Sequence, residues 1–222
     1  MNCAVLFSGG KDSTYAAYIA KKNNYNISCL ISIFSENPES YMFHTPSISK
    51  VEKQAEIMDK PLIIQKTKGE KEIELDDLFH AIMKAKYDFN INGIITGTVE
   101  SAYQASRIQK ICYDLELECF NPLWQKSQLE LIKELIEKKF NIIITGVFAY
   151  PFDKSWLGKK IDQKFLCDIR ELYEKYKINP AGEGGEYETF VLNCPLFKRE
   201  LKIVGNKIYG KNHSWKMEID VK

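Results

Sequence analysis

The chain has 222 residues, 45% of them apolar and 27% charged, with a formal net charge of +1. That balance excludes a disordered or collagen-like polymer, and the near-neutral total excludes a molecule that traps nucleic acid by bulk charge. The six cysteines (Cys3, Cys29, Cys112, Cys119, Cys167, Cys194) form no C-x-x-C pair, no run approaches membrane-span length, and 1–7 leads into a strand rather than a secretory signal, so a cytoplasmic protein with reduced thiols and no membrane partner is expected.

Residues 2–7 (NCAVLF) read as a buried parallel strand; SGGKDS follows at 8–13, and 14–22 continues with good helix formers. A second buried strand is predicted over 27–34, a polar loop with two prolines over 35–46, and a helix over 47–59 capped by Ser47 or Ser49. PLIIQ at 61–65 is a third strand. Ile73, Leu75, Leu78, Ile82 and Ala85 recur at helical spacing within 70–89, and INGIIT at 91–96 is a fourth strand. A helix over 101–117, a short extended piece over 119–124, a helix over 127–139 and a strand over 141–148 come next. After Pro151 the character changes to a helix over 162–177 closed by Asn179-Pro180, a glycine-rich segment at 182–185, and short strands over 190–197, 200–204, 207–209 and 215–221. Alternating helices and continuously apolar strands predict the α/β class: a Rossmann-like parallel sheet covered on both faces, with a smaller C-terminal α+β domain. A boundary near 125 divides 1–125 from a 126–222 module that packs on it. The last 25 residues hold seven Lys/Arg against three Asp/Glu, which is a solvated surface or a contact face for an acidic partner.

The stretch that carries chemistry is strand-SGGKDS-helix. Gly9 and Gly10 remove side chains that would hold backbone amides away from a phosphate, and the helix starting near Asp12 aims its unsatisfied amides and dipole at the anion. Ser8 and Ser13 add hydroxyls, and Lys11 a point charge. Asp12 either caps the helix or orders Mg²⁺; both readings stay open. The residue order fits neither G-x-x-x-x-G-K-[ST] nor G-x-G-x-x-G. It resembles the S-G-G-x-D-S signature of PP-loop ATP pyrophosphatases, which cleave ATP between its α and β phosphates.

Three further segments narrow the resemblance: MFHTP at 42–46 after the second strand, GTVESAYQASR at 97–107 at the carboxyl end of the fourth strand with Pro122-Leu123-Trp124 behind it, and GEGGEYET at 182–189. Together they resemble the diphthine–ammonia ligase (diphthamide synthase) family over nearly the whole chain, and the last motif is the most specific. That resemblance implies a PP-loop domain at 1–125, a substrate-binding domain at 126–222, and amidation of diphthine on elongation factor 2 with ATP and ammonium. It implies Ser8, Gly9, Gly10, Lys11, Asp12, Ser13 and His44 as nucleotide ligands, with Asp12 on Mg²⁺. Catalysis falls to Lys11, Glu183 and Glu186, where one glutamate is expected to hold ammonium and take its proton. Substrate contacts are expected from Ser101, Tyr103, Gln104, Arg107, Trp156 and Tyr187, whose aromatic members suit the quaternary ammonium of diphthine.

Each of these has a plainer reading: His44 as a loop hydrogen bond, Gln104 and Arg107 as a solvated helix face, Trp124 as the anchor of a core edge, Trp156 as a packing corner, and the two glutamates as solvation of a turn. Two carboxylates among three glycines favour a ligand-facing loop, one expected to be too flexible for a packing role. The rival functions are a PP-loop enzyme acting on transfer RNA and a non-catalytic ATP or AMP sensor. Residues 1–197 carry −3 (the whole-chain +1 less the tail's +4), which argues against a stable nucleic-acid partner. Whether the chain forms a homo-oligomer stays open.

Overall fold

The computed structural model describes residues 1–35, 50–70 and 73–222. Strand β1 (Asn2–Leu6) runs through the middle of the first sheet, since Cys3, Ala4 and Val5 are apolar and fully buried on both faces. It passes through the SGG turn into α1 (Lys11–Lys22), followed by β2 (Asn26–Ser35), α2 (Val51–Met58), β3 (Leu62–Thr67), α3 (Ile73–Phe89), β4 (Gly93–Ile95), α4 (Ala102–Asp114) and β5 (Glu118–Phe120). These strands form an all-parallel sheet in the order β3-β2-β1-β4-β5. The chain builds outward from β1 to β3, then returns to the other side of β1 for β4 and β5. This reversal puts the topological switch at the carboxyl ends of β1 and β4, the crevice where open α/β sheets bind ligands.

The second half contributes α5 (Gln128–Glu137), β6 (Asn141–Val147), a 3-10 turn (Lys154–Trp156), α6 (Gln163–Tyr176), β7 (Tyr187–Asn193), β8 (Ile203–Lys211) and β9 (Ser214–Val221). Its strands form an antiparallel sheet in the order β7-β6-β9-β8. The two halves share a core. On one face of the first sheet Leu78, Ile82, Ile108 and Ile111 of α3 and α4 cover Ala4, Ile31 and Ile94. On the other face α1 contributes Tyr15, Ala16 and Ala20, and these meet Leu131 and Leu135 of α5, Ile144 of β6 and Val191 of β7 around Val5, Phe7 and Leu30. Truncating a fully buried leucine such as Leu131 in so shared a cluster costs about 2–5 kcal/mol. The Tyr15 hydroxyl donates to Glu134 on α5 (2.5 Å), and Glu134 also pairs with Lys126 (2.8 Å), so a polar tie reinforces the apolar one. Among the described residues no helix is long and apolar enough to cross a membrane.

The elements fall close to their predicted positions, with instructive exceptions. β7 begins at Tyr187 rather than 190, because Tyr187 is itself buried in the shared core. The strands expected at 200–204 and 207–209 are one strand, β8. Gly205-Asn206 reads as a turn but pairs with Asp220 and Ile219 of β9, and the register shift falls just before it, between Ile203 and Gly205, so the chain bulges and continues. Trp124 does not anchor a core edge: the residue is 38% exposed, and the adjacent Leu123 fills the interior instead. Ser47, Ser49 and the MFHTP segment with His44 lie outside the described residues.

Candidate active site

The cleft at the carboxyl ends of β1, β2 and β4 has a volume of about 220 Å³. Its lining mixes the apolar side chains of Leu6, Phe7, Ile31, Ile33 and Ile108 with the polar ones of Ser8, Asp12, Ser13, Thr96, Thr98, Gln104 and Glu183. A cleft lined by apolar side chains together with hydroxyls and carboxylates suits a ligand with an aromatic base and a charged tail.

The polar part of the lining is built first by the loop between β1 and α1. Gly9 has φ +78°, and a Cβ there would collide with the Gln54 side chain, so this position admits only glycine. Of the first four helix amides, that of Lys11 donates to Thr189 Oγ1 (3.0 Å) and that of Thr14 to the Gly10 carbonyl (3.2 Å). Among the described residues no hydrogen bond engages the amides of Asp12 and Ser13, which are left for an anion at the helix tip. Ser8 and Ser13 share a hydrogen bond between their hydroxyls (3.1 Å) and so brace the loop. Gly97, at the end of β4, lets the second wall approach: a Cβ there would lie 2.6 Å from the Asp12 carbonyl carbon and 2.7 Å from the Ser13 nitrogen.

Lys11 is only 3% exposed, with its ammonium 2.7 Å from Asp12 Oδ2 and 5.6 Å from the centre of the Tyr187 ring. Asp12 Oδ1 is buried with no hydrogen-bond partner, a lone acceptor on the cleft wall. No capping hydrogen bond comes from the α1 N-cap, Gly10, and Asp12 already lies within the helix. This free carboxylate oxygen fits a cation delivered with a polyphosphate. Among the described residues no group of three or more His, Cys, Asp or Glu side chains could hold a metal by itself.

The two glutamates of the glycine-rich motif separate. Glu183 lines the cleft, and its carboxyl is pushed up to about 7, first by burial and then by the nearby Asp12 charge, against the opposing pull of Lys11 and of backbone hydrogen bonds from Glu100 and Val99. Glu186 turns back into its own loop: Oε1 accepts from the Asn179 amide (3.0 Å) and Oε2 from the Gly184 amide (2.9 Å). Asn179 Oδ1 accepts from the amides of Ala181 and Glu183, Gln128 Oε1 accepts from Ala181, and the Tyr187 hydroxyl donates to the Pro180 carbonyl (2.6 Å). The loop expected to be flexible is therefore a hydrogen-bonded scaffold that points Glu183 at the cleft.

The expected substrate residues do not converge on one cage. Gln104 reaches the cleft wall, whereas the Ser101 hydroxyl caps α4 by accepting from the Gln104 amide (3.3 Å). Arg107 stacks on Tyr103, 3.4 Å from the ring centre. Trp156 and Tyr187 both pack edge-on against Phe152 and Phe165, and Lys159 sits 3.7 Å above the Trp156 ring. Tyr103, Trp156 and Tyr187 thus each carry one of the chain's own cations near a ring face. Gln54 and Thr96 lie outside every motif, and Gly97, Thr98 and Thr189 lie within quoted segments that assign them no role.

A parallel sheet of this order, with an anion-ready SGG turn at its switch point and a buried lysine behind it, defines an ATP-binding α/β protein of the PP-loop type. The family models for the diphthamide synthase N-terminal domain and the diphthamide synthase C-terminal domain match residues 1–119 and 127–221. The chain belongs to the diphthamide synthase family. It is 32% identical to the diphthine–ammonia ligases of Bos taurus and of Homo sapiens, in each case over 94% of this chain and 85% of the relative. Among solved structures it resembles a predicted subunit of a tRNA methyltransferase from Methanocaldococcus jannaschii (21% identity, TM-score 0.45), over 88% of this chain and 98% of that one.

Proposed function

We propose that this protein amidates the carboxyl group of diphthine with ammonium, at the expense of ATP and with release of AMP and pyrophosphate. The observation that carries the reading is a single cleft in which an anion-binding helix tip and a proton-accepting carboxyl, Glu183, face the same space. Names of relatives that share most of the chain supply the substrate and the nitrogen donor.

The chemistry follows from the walls. A diphthine carboxylate oxygen attacks the α-phosphorus; the bond from that phosphorus to the bridging oxygen breaks, and pyrophosphate departs. The amides of Asp12 and Ser13, together with the Lys11 ammonium, meet the negative charge that gathers on this leaving group. Ammonium gives a proton to Glu183, whose raised pKa suits it to accept one near neutral pH. The resulting ammonia attacks the acyl carbon, the acyl–oxygen bond breaks, AMP leaves, and the extra proton on nitrogen passes to the departing phosphate or to water, giving the amide. Asp12 Oδ1 would hold a magnesium ion carried on the nucleotide, which supplies Lewis-acid charge neutralisation. Glu186 and Asn179 are positioning residues in this scheme, and Gln104 contacts whichever group lies along α4. The inferred partner is elongation factor 2 carrying diphthine, and the inferred compartment is the cytoplasm.

The test is to incubate the protein with ATP, magnesium, isotope-labelled ammonium and diphthine-bearing elongation factor. The expected result is AMP formed in step with label entering the factor. AMP release that depends on transfer RNA instead, or tight ATP binding with no turnover, would refute the reading.

A further inference from the structure

The phosphate loop does not hold its shape alone. Its rear is a strand of the other sheet, far away in sequence. Thr189 Oγ1 on β7 accepts the Lys11 amide at 3.0 Å, and Thr189 is itself 6% exposed. Two residues along β7, the Val191 amide donates to the Gly9 carbonyl at 3.1 Å. Gln54 on α2, wholly buried, uses one amide nitrogen to donate both to the Gly9 carbonyl (3.0 Å) and to the Val191 carbonyl (2.8 Å), and so bridges loop and strand. Gly10 lies beside the same strand: a Cβ on it would sit 3.4 Å from the Thr189 carbonyl and hydroxyl oxygens, an ordinary contact.

We propose that Thr189 and Gln54 are positioning residues that hold the phosphate loop in its anion-binding shape before nucleotide arrives. The physical reason lies in which amides each partner satisfies. Thr189 takes the Lys11 amide out of the helix tip, so the anion is offered Asp12 and Ser13 rather than a rotating set of three. Val191 and Gln54 together fix the Gly9 carbonyl, which would otherwise be free to swing towards the phosphates and repel them. A buried amide deprived of its acceptor finds another partner by moving the loop. Because β7 also follows directly from the Glu183 loop, one strand orders both the nucleotide end and the proton-accepting end of the cleft. The inference rests on the PP-loop reading of the cleft and adds residues that touch neither phosphate nor acyl group.

The test compares Thr189→Val, which keeps the shape and removes the acceptor, with Thr189→Ser, which restores it. The affinity for a non-hydrolysable ATP analogue with magnesium is read by calorimetry, beside KM for ATP, KM for ammonium and kcat. Thr189→Val is expected to weaken analogue binding and raise KM for ATP on the order of tenfold. KM for ammonium should stay within about twofold, and Thr189→Ser should regain most of the loss. Wild-type affinity in Thr189→Val, a serine variant as impaired as the valine one, or an equal rise in both KM values would overturn the proposal. Should Thr189→Val not fold, amide exchange in the wild-type apo protein decides: slow exchange at Lys11 supports the bond, and exchange at the free-loop rate overturns it. A wild-type protein that binds the analogue yet forms no AMP would defeat the proposed reaction while leaving this inference standing.

Discussion

Replacing Glu183 by glutamine separates proton transfer from every other duty of the cleft. Glutamine keeps the shape and an acceptor for the amides of Val99 and Glu100 but cannot take a proton. With the wild-type carboxyl pushed up to about 7, it is protonated below that pH and a competent base above it. It is about one-tenth ionised at pH 6 and about nine-tenths at pH 8, so kcat should rise roughly ninefold between them and then level. Ammonium's own dissociation lies well above this range, so a limb that levels near pH 8 belongs to the carboxyl. The variant should lose that limb and about 10²–10⁴-fold in kcat at pH 8, while analogue affinity stays close to wild type. The assay is AMP release at saturating ATP and ammonium across a pH series, with calorimetry on the same preparations. If the glutamine protein keeps an inflection at the same pH, the base is another group and the assignment is wrong.

Other outcomes follow from the same geometry. Lys11→Ala removes the buried cation and should lower kcat/KM for ATP on the order of 10²–10³-fold, with a circular dichroism spectrum like wild type; retained activity would contradict its role. Glu186→Gln puts a donor where one of two backbone amides needs an acceptor, so it should slow amidation by misplacing Glu183 while ATP affinity holds; an equal loss of both would move Glu186 into the nucleotide site. Gly97→Ala places a methyl about 2.6 Å from the Asp12 carbonyl carbon and should destabilise the fold by about 1–3 kcal/mol in urea titrations and weaken ATP binding. Stability should also depend on pH. The Glu188 carboxyl, raised by burial from 4.5 to about 8, holds its proton more tightly folded than unfolded. Its contribution is therefore fully present below pH 4.5 and lost as pH rises through 8, and Glu188→Gln should flatten that part of the melting-temperature profile.

How far the sequence could be read depended on whether the determinant was local. The SGG turn, its lysine and the flanking strand and helix are adjacent in the chain and obey local rules, so their placement could be anticipated; the helix expected from 162 begins there too, with Asp162 as a cap that the sequence reading did not name, accepting from the Phe165 amide at 2.9 Å. Glu183 and Glu186 are the same residue type three positions apart among glycines. Only the folded loop, with Asn179 and Gly184 claiming one of them, tells which faces the cleft. Thr189 lies 178 positions from the Lys11 amide it accepts and Gln54 45 positions from Gly9, so no window of sequence exposes either link. The surroundings of the aromatic residues were not legible, because composition shows rings but not the cations that lie over them, as Arg107 lies over Tyr103 and Lys159 over Trp156. Gly97 carried a usable signal, a glycine at the end of a buried strand, where a close backbone approach is a common reason for the residue.

A crystal structure with a non-hydrolysable ATP analogue and magnesium examines the phosphate loop most directly. The account predicts β- and γ-phosphates against the amides of Asp12 and Ser13, the base along Ile31 and Ile33, and the α-phosphorus open towards Glu183. Triphosphate bound elsewhere, with the helix tip empty, would contradict it.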